Sequence, residues 1–252
     1  MRDMILLPIG ITDSCRYASQ FLAKSGFTIT DHLTPEITHL LLDIPSFDEQ
    51  GKLKDGSDLR ELLRRLPSTI VMIGGNLKHP YLSTYQTIDL LEDAFYLTNN
   101  AAITAECALQ VASQHLHNTF ADSSALILGW GRIGKCLSRL LKALGCCVTV
   151  AARKENDRAM LRVLGYEAIR FEDIPKHFPK YNIIFNTVPR QTVDPNILNQ
   201  SKDCIKIDLA SAPGMECDNV IIARGLPGRY APRTSGKLIA NSIQTALKEV
   251  RQ

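Results

Sequence analysis

No apolar stretch in this chain approaches the length that crosses a bilayer. The apolar run at the start, Met4 to Ile11, is short and broken by Pro8, so it reads as a strand and not as a signal peptide. Lysine and arginine form no run, and a net charge of +3 gives no argument for nucleic acid. The seven cysteines are odd in number and lack C-x-x-C or other zinc spacing. Two of them, Cys146 and Cys147, are adjacent and cannot easily bridge. These absences argue against a membrane span, a disulfide scaffold and a metal site, and favour reduced thiols in a cytoplasm. A hydrophobic fraction of 45% with 22% charged residues fits an ordinary globular chain, and 252 residues suffice for one large or two small domains.

The most informative stretch runs from Ala125 to Arg153. An apolar run, Ala125 to Leu128, feeds Gly129-x-Gly131-x-x-Gly134. An amphipathic helix follows, with Ile133, Leu137, Leu140, Leu141 and Leu144 on one face, and Gly145 closes it before the strand at Val148 to Val150. Strand, glycine turn, helix and strand together form the context that a dinucleotide fingerprint needs. Gly129 allows the tight turn, Gly131 lets backbone approach the pyrophosphate, and Gly134 lets helix and strand pack closely. Trp130, Arg132 and Ile133 complete the predicted cofactor loop. Trp130, the single tryptophan, is expected to cover the cofactor or to pack at a domain interface.

NAD-specific sites usually carry an acid about 20 residues on, at the end of the second strand. Here that strand ends Ala151-Ala152-Arg153-Lys154, with no acid before Glu155. Two cations at that point suit a 2′-phosphate, so Arg153 and Lys154 favour NADP over NAD.

The pattern predicts two α/β domains: a smaller N-terminal one over residues 1–98 and a Rossmann-type, doubly wound parallel sheet over 121–252. Strands are expected near 3–8, 27–30, 39–43 and 69–73 in the first domain. They are expected near 167–171, 181–187, 204–209 and 219–223 after the fingerprint unit. A connector helix is expected over 99–120, started by Asn99-Asn100. The last helix, from Thr234, is a candidate to return to the first domain. Loops at the carboxyl ends of the strands carry Thr187-Val188-Pro189, Ser211-Ala212-Pro213-Gly214 and Gly225-Leu226-Pro227-Gly228, which mark an active-site rim.

In order, NAAITAECALQVASQH, LILGWGRIGK, FNTVPR, DLASAPG and ARGLPGRYAPRTSGKLIANSI resemble the family of bacterial dipicolinate synthase A subunits, from about Asn100 onward. The hundred residues before that match weakly and look shorter than is usual there. Ala212 and Met215 depart from the family pattern, where a basic residue and a second glycine are common. The resemblance implies oxidation of a dihydrodipicolinate-type intermediate to pyridine-2,6-dicarboxylate with NADP or NAD. It also implies a homo-oligomer, a cytoplasmic setting (the mother cell in a sporulating host) and a second, flavoprotein-like subunit.

Two substrate carboxylates need donors. Arg233, beside the glycine-proline loop and just before a helix start, is the first choice, with Arg190 and Arg229 behind it. Ser211, Gly225, Leu226, Pro227, Gly228 and Thr234 complete the predicted substrate cradle. For the proton acceptor, His115 has a suitable intrinsic pKa, and Thr104 and Glu106 match the family's T-x-E. Each has a structural alternative: a hydrogen-bonded histidine on the connector helix, and a carboxylate complementing the helix dipole. Two other readings stay open, a different NAD(P)-dependent 2-hydroxy or 2-imino acid dehydrogenase and a nucleotide-binding scaffold without activity of its own. The usual hydroxyacid enzymes use an arginine in the loop after the fifth strand; here that strand ends Asp208 to Ser211 with no arginine nearby, which counts against them.

Overall fold

The computed structural model describes residues 4–48, 50–178 and 180–249. The elements run β1 (Ile5–Pro8), α1 (Asp13–Ala23), β2 (Thr28–Ile29), β3 (His39–Leu41), α2 (Leu59–Leu63), β4 (Val71–Gly74), β5 (Gln86–Asp89) and α3 (Ala94–Ser113). They continue with β6 (Ser124–Leu128), α4 (Arg132–Ala143), β7 (Cys147–Ala151), α5 (Glu155–Val163), β8 (Glu167–Ile169), α6 (Ile174–His177), β9 (Ile183–Asn186) and α7 (Pro195–Leu198). The last are β10 (Ile205–Asp208), β11 (Val220–Ile222), α8 (Leu226–Tyr230) and α9 (Pro232–Glu249). The chain forms two compact units, one of residues up to Asn100 together with Pro227 onward, the other of Ala101–Leu226.

The first unit is built on a five-stranded parallel sheet in the order β2-β1-β3-β4-β5. Its α1 packs against α9. Contact is close because Gly236 has no side chain: a Cβ there would meet Tyr17 Cβ at 2.5 Å and the Ser14 carbonyl at 2.7 Å. The last helix therefore belongs to the first unit.

The second unit carries a six-stranded parallel sheet in the order β11-β10-β9-β6-β7-β8. The order reverses between β6 and β9, the topology of a doubly wound dinucleotide-binding sheet. Continuous apolar strands suit a sheet covered on both faces. Leu126, Leu128, Ala151 and Ile184 join Phe178, Leu198 and Cys204 in one buried core.

Three local expectations are corrected. The long helix begins at Ala94, not at Asn99-Asn100, because the Asp93 carboxylate accepts the Phe95 N–H (2.8 Å) and caps it there. Asn99 lies inside the helix and donates to the Phe95 carbonyl at 2.8 Å. The helix stops at Ser113 rather than near residue 120. The Gly225–Gly228 stretch is not a loop: Gly225, at φ +64°, turns the chain into α8, with Pro227 in its first turn.

Candidate functional site

Because the strands of the second sheet are parallel, their carboxyl ends share one edge, and the fingerprint leaves β6 there. Gly129 adopts φ +102°, a conformation that favours glycine, and a Cβ there would meet Thr187 Oγ1 at 2.6 Å. A Cβ on Gly134 would collide with the Gly129 carbonyl oxygen, which explains the close fit of α4 to the turn. A Cβ on Gly131 would meet nothing within 4 Å. Two glycines are thus closed by the protein, and the third opens outward where a pyrophosphate must approach. Gly131 is the N-cap of α4 and gives no side-chain cap, so the first-turn N–H groups, those of Arg132 and Ile133 among them, lack that partner. The loop fits a dinucleotide.

Trp130 keeps its backbone in this loop, but its ring packs on Tyr166, centroids 6.0 Å apart, with Lys135 Nζ 5.8 Å from the indole. The side chain is engaged by its own unit. At the end of β7, Arg153 and Lys154 are exposed and their side chains form no ion pair among the described residues. The turn beneath them is braced by Arg158, buried, which donates to the carbonyls of Ala152 (2.6 Å) and Arg153 (2.7 Å). Glu155 is taken by Arg158 and Arg162, and the hydrogen bonds from Arg158 and then Arg162 hold its carboxyl below the usual carboxylate range.

The loops after β9 and β10 are tied together by two residues that sequence reasoning left outside the site. Asn186, fully buried, donates from Nδ2 to the Val188 carbonyl (2.9 Å) and to Asp208 Oδ1 (2.8 Å), and its Oδ1 accepts the Val188 N–H (3.1 Å). Asp208, also buried, accepts the N–H groups of Ala210 (3.2 Å) and Gly214 (3.0 Å). A Cβ on Gly214 would strike the Val188 carbonyl, so the second loop lies directly on the first. Thr187 backs the fingerprint, its hydroxyl donating to the Leu128 carbonyl (2.8 Å). Val188 packs on the same turn, a Cβ on Gly129 falling 2.9 Å from its Cγ2. Pro189 lies on the same loop, and Ser211 is exposed on the next.

The absence of an arginine from the β10 loop is corrected as well. Arg224, two residues past β11, donates from Nε to the Ala210 carbonyl (3.1 Å), and its Nη2 lies 4.0 Å from Asp208 Oδ2. The register pairs Asp208 with Ile222, which sets residues 210 and 224 side by side.

The catalytic candidates are not brought together. His115 is off the helix, in the exposed turn after Ser113. Its neighbours Ser113 and Leu116 line one cavity with Leu144, at the far end of α4. A 12-residue helix spans about 18 Å, so His115 sits at the opposite edge of the sheet from the glycine loop, which rules it out beside the cofactor. Glu106 is exposed in the middle of α3, twelve residues past its start, and so cannot be a helix-start carboxylate. Thr104 is buried on the same helix. Of the substrate candidates, Gly225 and the buried Leu226 close the second unit. Pro227, Gly228, Arg233 and Thr234 belong to the first unit, with Arg233 and Thr234 exposed in the first turn of α9.

Among the described residues, no group of three or more histidine, cysteine, aspartate or glutamate side chains could hold a metal ion, and no helix is long and apolar enough to cross a membrane.

Residues 89–202 match the NAD-binding domain of the D-isomer specific 2-hydroxyacid dehydrogenase family. The A subunit of dipicolinate synthase from Bacillus subtilis is 28% identical over 204 residues, 75% of this chain and 68% of that protein. Its crystal structure superposes with a TM-score of 0.82 at 23% identity, over 100% of this chain and 98% of the other. The A subunit from Bacillus halodurans also gives 0.82, at 24% identity, over 97% and 98%. The resemblance carried by the sequence motifs is borne out, and the second unit is a nicotinamide-dinucleotide domain of the oxidoreductase type.

Proposed function

We propose that this chain, a relative of the dipicolinate synthase A subunits, oxidises a dihydrodipicolinate-type ring dicarboxylate to pyridine-2,6-dicarboxylate with NADP as hydride acceptor. The observation that carries this reading is the Asn186–Asp208–Gly214 bond set. It makes one rim of the N-T-x-P and D-L-A-S segments beside the open Gly131, and D-L-A-S together with the G-L-P-G-x-x-A-P stretch sets the dipicolinate synthase pattern apart from the general 2-hydroxyacid dehydrogenases.

Bound nicotinamide would supply the oxidant, taking the hydride as the ring becomes aromatic. The protein's part is to hold the ring in place and accept a proton. Gly129, Gly131 and Gly134, with the backbone of Trp130, Arg132 and Ile133, cradle the pyrophosphate. Thr187, Val188 and Pro189 form the wall behind them. Arg153 and Lys154 take the 2′-phosphate, a role supported by their exposure, by the lack of an ion pair to either among the described residues, and by the engagement of Glu155 elsewhere. NAD stays the weaker choice. Ser211, Gly225 and Leu226 contribute to the substrate cradle from the second unit. Pro227, Gly228, Arg233 and Thr234 are kept as substrate-binding residues on the resemblance and their chemistry alone. Glu106, exposed on α3, is the remaining proton acceptor of the three candidates, with the buried Thr104 two residues before it. A homo-oligomeric state, a cytoplasmic setting and a second, flavoprotein-like subunit belong to the same proposal.

The test is dipicolinate formation by the purified chain, with substrate generated in place by dihydrodipicolinate synthase. NADP and NAD are compared, with and without the second subunit. Ultraviolet-detected product with matching nicotinamide reduction is expected. Measured NADPH binding without product under every condition would overturn the reading in favour of another dehydrogenase or a scaffold.

A further inference from the structure

Arg224 is a cation that the predicted cradle leaves out. Its Nε is fixed on the Ala210 carbonyl at 3.1 Å. Its Nη2 is buried, has no hydrogen-bond partner among the described residues and faces Asp208 Oδ2 at 4.0 Å, beyond hydrogen-bond reach. Asp208 is held by other donors, accepting from Asn186 Nδ2 and the Ala210 N–H at Oδ1 and from the Gly214 N–H at Oδ2, and at 4.0 Å it gives Nη2 no hydrogen bond. Nη1 makes no hydrogen bond among the described residues, and the side chain keeps 37% of its surface in solvent. A guanidinium has five donors in a rigid fork, and here one of them is satisfied by the protein. A loop brace needs a single donor on a carbonyl; it does not explain a fork whose outer side is left open.

The position decides the ligand. Arg224 stands at the carboxyl ends of β10 and β11, on the side of the switch point away from β7 and Arg153. Arg153 marks the adenosine phosphate, so the half of the crevice near Arg224 belongs to the nicotinamide and the substrate. We propose that Arg224 anchors one of the two substrate carboxylates through its Nη1 side, from within the nucleotide-binding unit. This assignment rests on the dicarboxylate reading above and adds a residue to it. Specificity for a dicarboxylate over a monocarboxylate then depends on Arg224, because a ring with one carboxylate can be held by the remaining donors alone.

The test is calorimetric titration of the NADP-loaded full chain with pyridine-2,6-dicarboxylate and with pyridine-2-carboxylate. The wild type is expected to prefer the dicarboxylate by about 10- to 100-fold, the worth of one charge-assisted hydrogen-bond pair. In Arg224→Met that preference disappears, while NADP affinity stays within about twofold, since nothing in the assignment touches the cofactor. Arg224→Lys, which keeps a charge beside Asp208 and so guards against misfolding, recovers part of the preference as a point charge without the fork. A preference that survives in both variants overturns Arg224 as the anchor. A loss of NADP affinity equal to the loss of dicarboxylate affinity also overturns it. A wild type that shows no preference and forms no dipicolinate overturns the functional reading, and Arg224's role with it.

Discussion

The two units begin with the same device used in opposite ways. In each, an interior strand of a parallel sheet feeds a glycine-containing turn and then a helix. In the first unit the space before α1 is filled from within. Asp43, at the end of β3, accepts the N–H groups of Ile11 (2.9 Å) and Thr12 (3.1 Å) as well as the Thr12 hydroxyl. Thr12 in turn caps Cys15 (3.3 Å). A Cβ on Gly10 would meet Cys15 Sγ at 2.5 Å and the Asp43 N at 2.8 Å. In the second unit α4 has no side-chain cap, and the space over Gly131 is open. A helix start attracts anions in both cases. One is satisfied by the chain's own carboxylate, and the other is left for a ligand. The glycine turn alone therefore does not identify a binding site; what fills it does.

The largest effect expected from this difference is at Gly131. Gly131→Val puts a branched side chain into the pyrophosphate space from a Cβ position with no protein atom within 4 Å. NADPH affinity should fall by about 1000-fold, the loss of two or three charge-assisted hydrogen bonds, with the melting temperature unchanged. A fluorescence titration that finds normal NADPH binding would break the comparison outright. Asp43→Ala should show the reverse pattern. It orphans two backbone N–H groups and a hydroxyl at a partly buried helix start, and should destabilise the first unit by about 2 kcal/mol while NADPH affinity holds. Chemical denaturation checks it, and an unchanged midpoint would mean that water serves α1 as well as Asp43 does.

The sequence reveals this contrast on one side only. The strands of the second sheet are mostly short apolar runs, clearest in Ala125–Leu128 and Ile183–Phe185, and the turn chemistry of Gly129, Gly131 and Gly134 is local, so both are legible without structure. Asp43 is not, since it acts across 31 or 32 residues on Thr12 and Ile11. β5 escapes for another reason: Gln86-Thr87-Ile88-Asp89 is a short edge strand with two exposed polar residues and no apolar run. Asp93 offers a cap signal as good as Asn99-Asn100, and position alone could not choose between them. His115 shows the limit of motif logic. It follows Gln114 as the family pattern has it, yet the helix ends two residues earlier, and the turn carries it to the wrong edge of the sheet. Arg224 is hidden by sheet register, which brings residues 210 and 224 together although they stand fourteen apart.

The smallest of these effects probes the outer end of the same open site. If the second unit awaits an external anion, its charge should be set at two points, the helix start and the end of β7. At the helix start the donors are backbone groups, common to NAD and NADP, so they cannot discriminate. At β7 the donors are side chains, and Glu155, the acid that could have taken ribose hydroxyls, is bound to Arg158 and Arg162. Arg153→Asp replaces the exposed cation with a ribose acceptor and leaves the Arg158 brace in place, because that brace uses the backbone carbonyl of residue 153. The NADPH-to-NADH preference should shift by about tenfold, or ~1.4 kcal/mol, toward NADH, with Lys154 retaining some hold on the phosphate. Affinities for both cofactors measured before and after decide it. An unchanged ratio would take Arg153 out of the site and leave the choice of cofactor to Lys154 or to no side chain on this turn.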